Sequence, residues 1–102
     1  MPDASNADDV DYPLYTTGQV ARLLGVQQAF LRSLDAAGQI RPHRSEGGHR
    51  RYTRRQVDLI VRLREQLDEG HTLAAATRIT DLQDQLTEAN DEIARLRDQR
   101  SP

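Results

Sequence analysis

The stretch Gly47-Gly48-His49-Arg50-Arg51-Tyr52 gathers more reactive side chains than any other part of this 102-residue chain. Two glycines permit a tight bend. An imidazole, two guanidiniums and a phenol follow at once, with no acid among them. The set holds positive charge and donates hydrogen bonds, and it contains no nucleophile paired with a base. Its chemistry is therefore anion binding, and a planar guanidinium matches phosphate oxygens two at a time. The three histidines, His43, His49 and His71, stand apart from acidic partners and from metal-ligand spacing, so no metal site is expected. There is no cysteine, which removes disulfides, thiolate zinc sites and a cysteine nucleophile. No Gly-rich phosphate loop or nucleophile constellation is present. An enzyme is not expected, nor is a cofactor.

Charge is distributed in blocks around this stretch. Residues 1–14 carry −4, residues 15–67 carry +6 and residues 68–102 carry −4, which gives the overall −2. A basic centre between acidic ends points to an anionic partner for the centre. All fourteen basic residues are arginine. The start of the chain has acids and no apolar run, so it is not a signal peptide, and no stretch approaches a membrane span. A cytoplasmic location without membrane contact is the expectation.

The elements that must position the basic stretch are legible on either side. Residues 1–13 read as a disordered acidic tail. Thr16 or Thr17 caps a helix to about Leu24, with Val20, Leu23 and Leu24 on one face. Gly25 breaks it. A second helix spans about Gln27 to Ala37, with Phe30, Leu31 and Leu34 apolar and Gly38 just past its end. Two short helices joined by a Gly-containing turn form a helix-turn-helix pattern. A two-stranded loop follows, about Arg41–Arg44 and His49–Tyr52. Thr53 and Gln56 form a capping box for a third helix that ends near Gly70. Thr72 caps a last helix from Leu73 to about Gln99.

That last helix carries a heptad seam, with Ile79, Leu86 and Ile93 at a and Leu82, Ala89 and Leu96 at d. A lone helix would expose this apolar strip, so self-association through it is expected. The direction of pairing stays open from the residues alone, since Glu92 and Arg97 at g and e suit a parallel pair.

In residue order and spacing, Tyr15-Thr16-Thr17-Gly18-Gln19-Val20-Ala21, Leu24-Gly25-Val26, Leu31-Arg32, Gly38-Gln39-Ile40, Arg50-Arg51-Tyr52 and the helix pair after Thr53 resemble the MerR family of winged-helix transcription regulators. Small members lacking an effector domain, the heat-shock-repressor type, are most similar. The resemblance implies a mainly α fold: residues 14–80 a winged helix-turn-helix domain with a short two-stranded wing, residues 81–100 a coiled-coil dimerisation helix. It implies a homodimer, paired antiparallel, on a palindromic double-stranded DNA site, with no small-molecule effector and with room for a protein co-regulator. The second helix would enter the major groove and the wing would lie on the backbone or in the minor groove.

Carried onto these positions, the candidate DNA contacts are Thr17, Gln27, Gln28, Arg32, Ser33, Arg44, His49, Arg50, Arg51 and Tyr52. Gln pairs bidentately with adenine, and Arg with guanine or phosphate. Tyr52 would offer its hydroxyl to a phosphate while its ring packs, and the start of helix one offers free amides. The chain departs from the family at Gln27-Gln28, Phe30 and Ser33-Leu34, so a relative's base preference does not transfer. An ion pair of Arg32 with Asp35 at i, i+3 is the competing use of that arginine. Two other functions compete: an architectural, excisionase-like DNA bender, and an adaptor whose coil recruits another protein.

Overall fold

The computed structural model describes residues 9–100. Chain contacts divide into two compact units, Met1–Arg62 and Leu63–Pro102.

In the first unit, β1 (Tyr15–Thr16) leads into α1 (Thr17–Leu24), followed by α2 (Gln28–Ala36), β2 (His43–Arg44), β3 (Arg50–Tyr52) and the start of α3 (Arg54–Asp68). Thr16 is the N-cap of α1. Its hydroxyl accepts from the Gln19 amide at 3.1 Å, and its own amide donates to Gln19 Oε1 at 2.8 Å. This reciprocal capping box satisfies two first-turn donors. Gly25 then takes φ +65°, and the amide of Val26 donates back to the Ala21 carbonyl, closing α1. Gln27 caps α2 without a side-chain hydrogen bond, and Gly38 beyond its end takes φ +75°. Thr53 and Gln56 form the expected second capping box at 3.0 Å in each direction, and Gln56 Nε2 also donates to the Arg41 carbonyl at 2.8 Å.

The wing has three strands rather than two. Their order is β1-β3-β2, all antiparallel, with Tyr15 opposite Tyr52, Thr16 and His43 opposite Arg51, and Arg44 opposite Arg50. Residues 15–16 are too short to show alternation in sequence, and the strand exists through backbone pairing with β3. Its partner residue Tyr52 is 1% exposed. Around it the core holds Val20, Leu31, Leu34, Ile40 and Ile60. Leu23 was expected on the buried face of α1 but is 64% exposed. α1 buries Val20 and Ala21. At roughly 100° per residue Ala21 lies to one side of Val20, and Leu23 falls to the other.

Residues 9–13, expected with the acidic tail, form a strap, whereas residues 1–8 of that tail lie outside the described residues. The Val10 carbonyl accepts from the Arg55 amide at 3.0 Å, and Asp11 Oδ1 accepts from Arg55 Nε at 2.7 Å. The hydrogen bond to Arg55 holds the Asp11 carboxyl below the usual carboxylate range. α3 has no acid in its first turn, so Asp11 supplies the negative charge that a helix N-terminus favours.

In the second unit, Gly70 at φ +99° follows α3, and Thr72 caps α4 (Leu73–Arg100) through the Ala75 amide at 3.1 Å. With 28 residues α4 is about 42 Å long. Ala76 and Thr80 are buried, and the Thr80 hydroxyl donates to the Thr77 carbonyl at 2.9 Å. Ile79 is half-buried. From Asp81 to Arg100 every residue is exposed, including Leu82, Leu86, Ala89, Ile93 and Leu96. No helix among the described residues is long and apolar enough to cross a membrane.

Among the described residues the buried Tyr52 hydroxyl finds no hydrogen-bond partner. An unsatisfied buried donor costs about 1–3 kcal/mol. Tyr52→Phe is therefore expected to leave the thermal unfolding midpoint unchanged or to raise it by a few degrees. A clear drop in that midpoint would reveal a hydrogen bond the packing does not show.

Candidate nucleic-acid interface

Three separate parts of the first unit converge on one open groove of about 520 Å³. The start of α1 contributes Thr16, Thr17 and Gly18, and α2 contributes Gln28 and Arg32. The wing contributes Gly48, His49, Arg50 and Arg51. Three arginines and a histidine line the groove, and no acid does. Capping by Thr16 and Gln19 leaves the amides of Thr17 and Gly18 as first-turn donors without a capping partner, in the place where a helix dipole favours an anion. Gly18 faces α2, where a Cβ would meet Gln28 Nε2 at an ordinary contact distance of 3.7 Å.

The wing tip is a tight turn. The Gly48 amide donates to the Ser45 carbonyl at 2.8 Å, and the Ser45 amide donates to the His49 carbonyl at 2.9 Å. Gly48 has φ +78°, a conformation L side chains avoid. Strand alternation then sorts the residues beyond it. Tyr52 turns into the core, and Arg50 on the same face meets Asp35 of α2, with Nε 2.7 Å from Oδ2. Arg44, across from Arg50, places Nη2 3.0 Å from the same oxygen and Nη1 3.2 Å from the Gly48 carbonyl. Arg51 lies on the opposite face, beside Thr16 and His43.

Of the ten residues expected at the site, the groove gathers Thr17, Gln28, Arg32, His49, Arg50 and Arg51. It does not include Gln27, Ser33, Arg44 or Tyr52. Gln27 is exposed at the N-cap of α2. Ser33 turns its hydroxyl back to the Phe30 carbonyl at 2.6 Å. Arg44 is held by Asp35 and Gly48. The Tyr52 hydroxyl, expected at a phosphate, is buried instead. The pairing of Asp35 with Arg32 is not formed, because Asp35 is engaged by Arg44 and Arg50. Among the described residues neither Arg32 nor Arg51 makes an intramolecular ion pair. Thr16, Gly18 and Gly48, read in the sequence as a cap, a motif residue and a bend, were not expected to line the groove, and Asp35 was weighed only as a partner for Arg32. The capping-box pattern Thr16–Gln19 was the available signal for the first two.

A helix-turn-helix, a three-stranded wing and an acid-free basic groove between them define a winged helix-turn-helix domain. Residues 15–83 match the model of the MerR HTH family of regulatory proteins, and the chain belongs to that family. It is 34% identical over 87 residues to a protein named as heat shock protein HspR of Streptomyces coelicolor, covering 84% of this chain and 58% of that one. The chain thus spans little more than half the length of this relative. Among solved structures it is similar in fold to HiNmlR, a MerR family regulator lacking the sensor domain, bound to promoter DNA. The TM-score is 0.59 at 23% identity, over 81% of this chain and 75% of that one.

Proposed function

We propose that this chain is a sequence-specific DNA-binding transcription regulator that acts as a homodimer on a palindromic site. The observation that carries the reading is the groove itself. It joins the α1 amides, the exposed face of α2 and the wing tip, with basic side chains and no acid. Membership of a regulatory helix-turn-helix family and the fold shared with a DNA-bound regulator support it. In this reading α2 presents Gln28 and Arg32 to base edges in the major groove, with Gln27 beside them at the helix start. Thr17, Gly18, His49 and Arg51 grip the backbone, and Arg51 also suits a narrow minor groove. Ser33 flanks the contact. Arg44, Arg50 and Tyr52 hold the wing rather than lead the binding.

The exposed seam of α4 supports the dimer. Leu82, Leu86, Ile93 and Leu96 form a large apolar strip on a lone chain. Family membership supports an antiparallel pair, in which Ile79 of one helix lies beside Leu96 of the other. A single wing domain reads few base pairs, and a two-fold pair doubles them. A cytoplasmic location fits this function.

Two experiments test the reading. Fluorescence anisotropy is measured with a duplex that the protein selects from a random pool and with a scrambled duplex, over a range of salt. Arg51→Ala should weaken binding to both and flatten the salt dependence by about one unit of slope. Gln28→Ala should spare the scrambled duplex and lose about 1–3 kcal/mol of preference. Equal binding of wild type to both duplexes at physiological salt contradicts sequence specificity. In sedimentation equilibrium the wild type should show twice the mass of one chain, and Leu86→Glu should shift it to the monomer. Leu86 is 62% exposed, so the change does not disturb a monomer core. An unshifted mass would place the interface elsewhere.

A further inference from the structure

We propose that Asp35 is a positioning residue that determines specificity: it locks the wing to α2 and withholds two guanidiniums from indiscriminate phosphate binding. This rests on the groove being the DNA interface. Arg44 and Arg50 are direct cross-strand neighbours, so both side chains leave the same face of the wing. Like charges so opposed repel and would splay the strands. Asp35 Oδ2 removes that repulsion by accepting from Arg44 Nη2 at 3.0 Å and from Arg50 Nε at 2.7 Å. Its side chain is 17% exposed, which limits competition from water. Arg44 extends the lock through Nη1 to the Gly48 carbonyl at the bend. One carboxylate oxygen therefore ties α2 to β2 and β3 and, through Arg44, to the wing tip. The spacing between Gln28 and Arg32 on one side and His49 and Arg51 on the other depends on that tie.

Two physical roles for Asp35 predict different signs. As a mere negative charge beside an anion-binding groove, its removal would strengthen binding to every duplex alike. As a mere fold support, its removal would weaken binding to every duplex alike. The lock predicts a split. Without it Arg44 and Arg50 are released to phosphates of any sequence, while the wing loses its fixed register against α2.

The test compares wild type, Asp35→Asn and Asp35→Glu on a duplex selected by the wild-type protein and on a scrambled duplex of the same composition. Circular dichroism verifies folding. For Asp35→Asn, binding to the scrambled duplex should tighten and its log–log salt slope should steepen by about one to two, one per released arginine. The ratio of selected to scrambled affinity should fall at least about tenfold, the order of one mismatched base pair. Asp35→Glu keeps the carboxylate and should recover part of the ratio. If Asp35→Asn does not fold, Arg44→Gln serves in its place and should lower the ratio without tightening scrambled binding. An unchanged ratio in the folded variant, or a parallel gain or loss on both duplexes, overturns the proposal. If the wild type itself does not distinguish the duplexes, the reading of a sequence-specific regulator fails and the proposal fails with it.

Discussion

Burial of Tyr52 in the central strand of the wing sets the direction of every residue beside it. Side chains alternate across a strand, so with Tyr52 in the core, Arg50 must share its face and Arg51 must take the other. A slip of one residue would send Arg51 inward and Tyr52 into solvent. Pairing on both edges of β3 resists that slip, with β1 at Tyr15 and Thr16 and β2 at His43 and Arg44. The short β1 does further work. Thr16 ends the strand and caps α1 in the same position, so the register that orients Arg51 also places the free amides of Thr17 and Gly18.

This explains how three discontinuous segments reach one groove in a chain with a modest core. α1 and α2 are fixed by Val20, Leu31 and Leu34, and Asp35 extends from α2 to the strands. The strap at Val10 and Asp11 occupies the Arg55 amide and guanidinium at the start of α3. Arg55 is thereby engaged within the protein, whereas Arg32 and Arg51 form no ion pair among the described residues.

The helices and their caps were legible in the sequence because their signals are local. Thr53 with Gln56, Thr72, Gly25 and Gly38 each declare a boundary within a few residues. The groove was half legible. Arg51, Arg32 and Gln28 could be named from charge, amide chemistry and family resemblance. The division of labour within Arg50-Arg51-Tyr52 could not, since it depends on which face of β3 meets the core. Nor could the partners of Asp35, which lie 9 and 15 residues away. The i, i+3 spacing to Arg32 suggested a local pair, and the tertiary contacts replaced it with two distant ones. Leu23 shows the same limit, because helical spacing names a face but not how far the core wraps around it.

The central claim is that the groove between α1, α2 and the wing is where DNA is held. Backbone amide chemical shifts followed during titration with a selected duplex test it directly. The account predicts the largest changes at Thr17, Gly18, Gln28, Arg32, His49 and Arg51, with Thr17 and Gly18 becoming protected from solvent exchange and Tyr52 little changed. Large shifts confined to residues 81–100, with the groove amides unmoved, would contradict it.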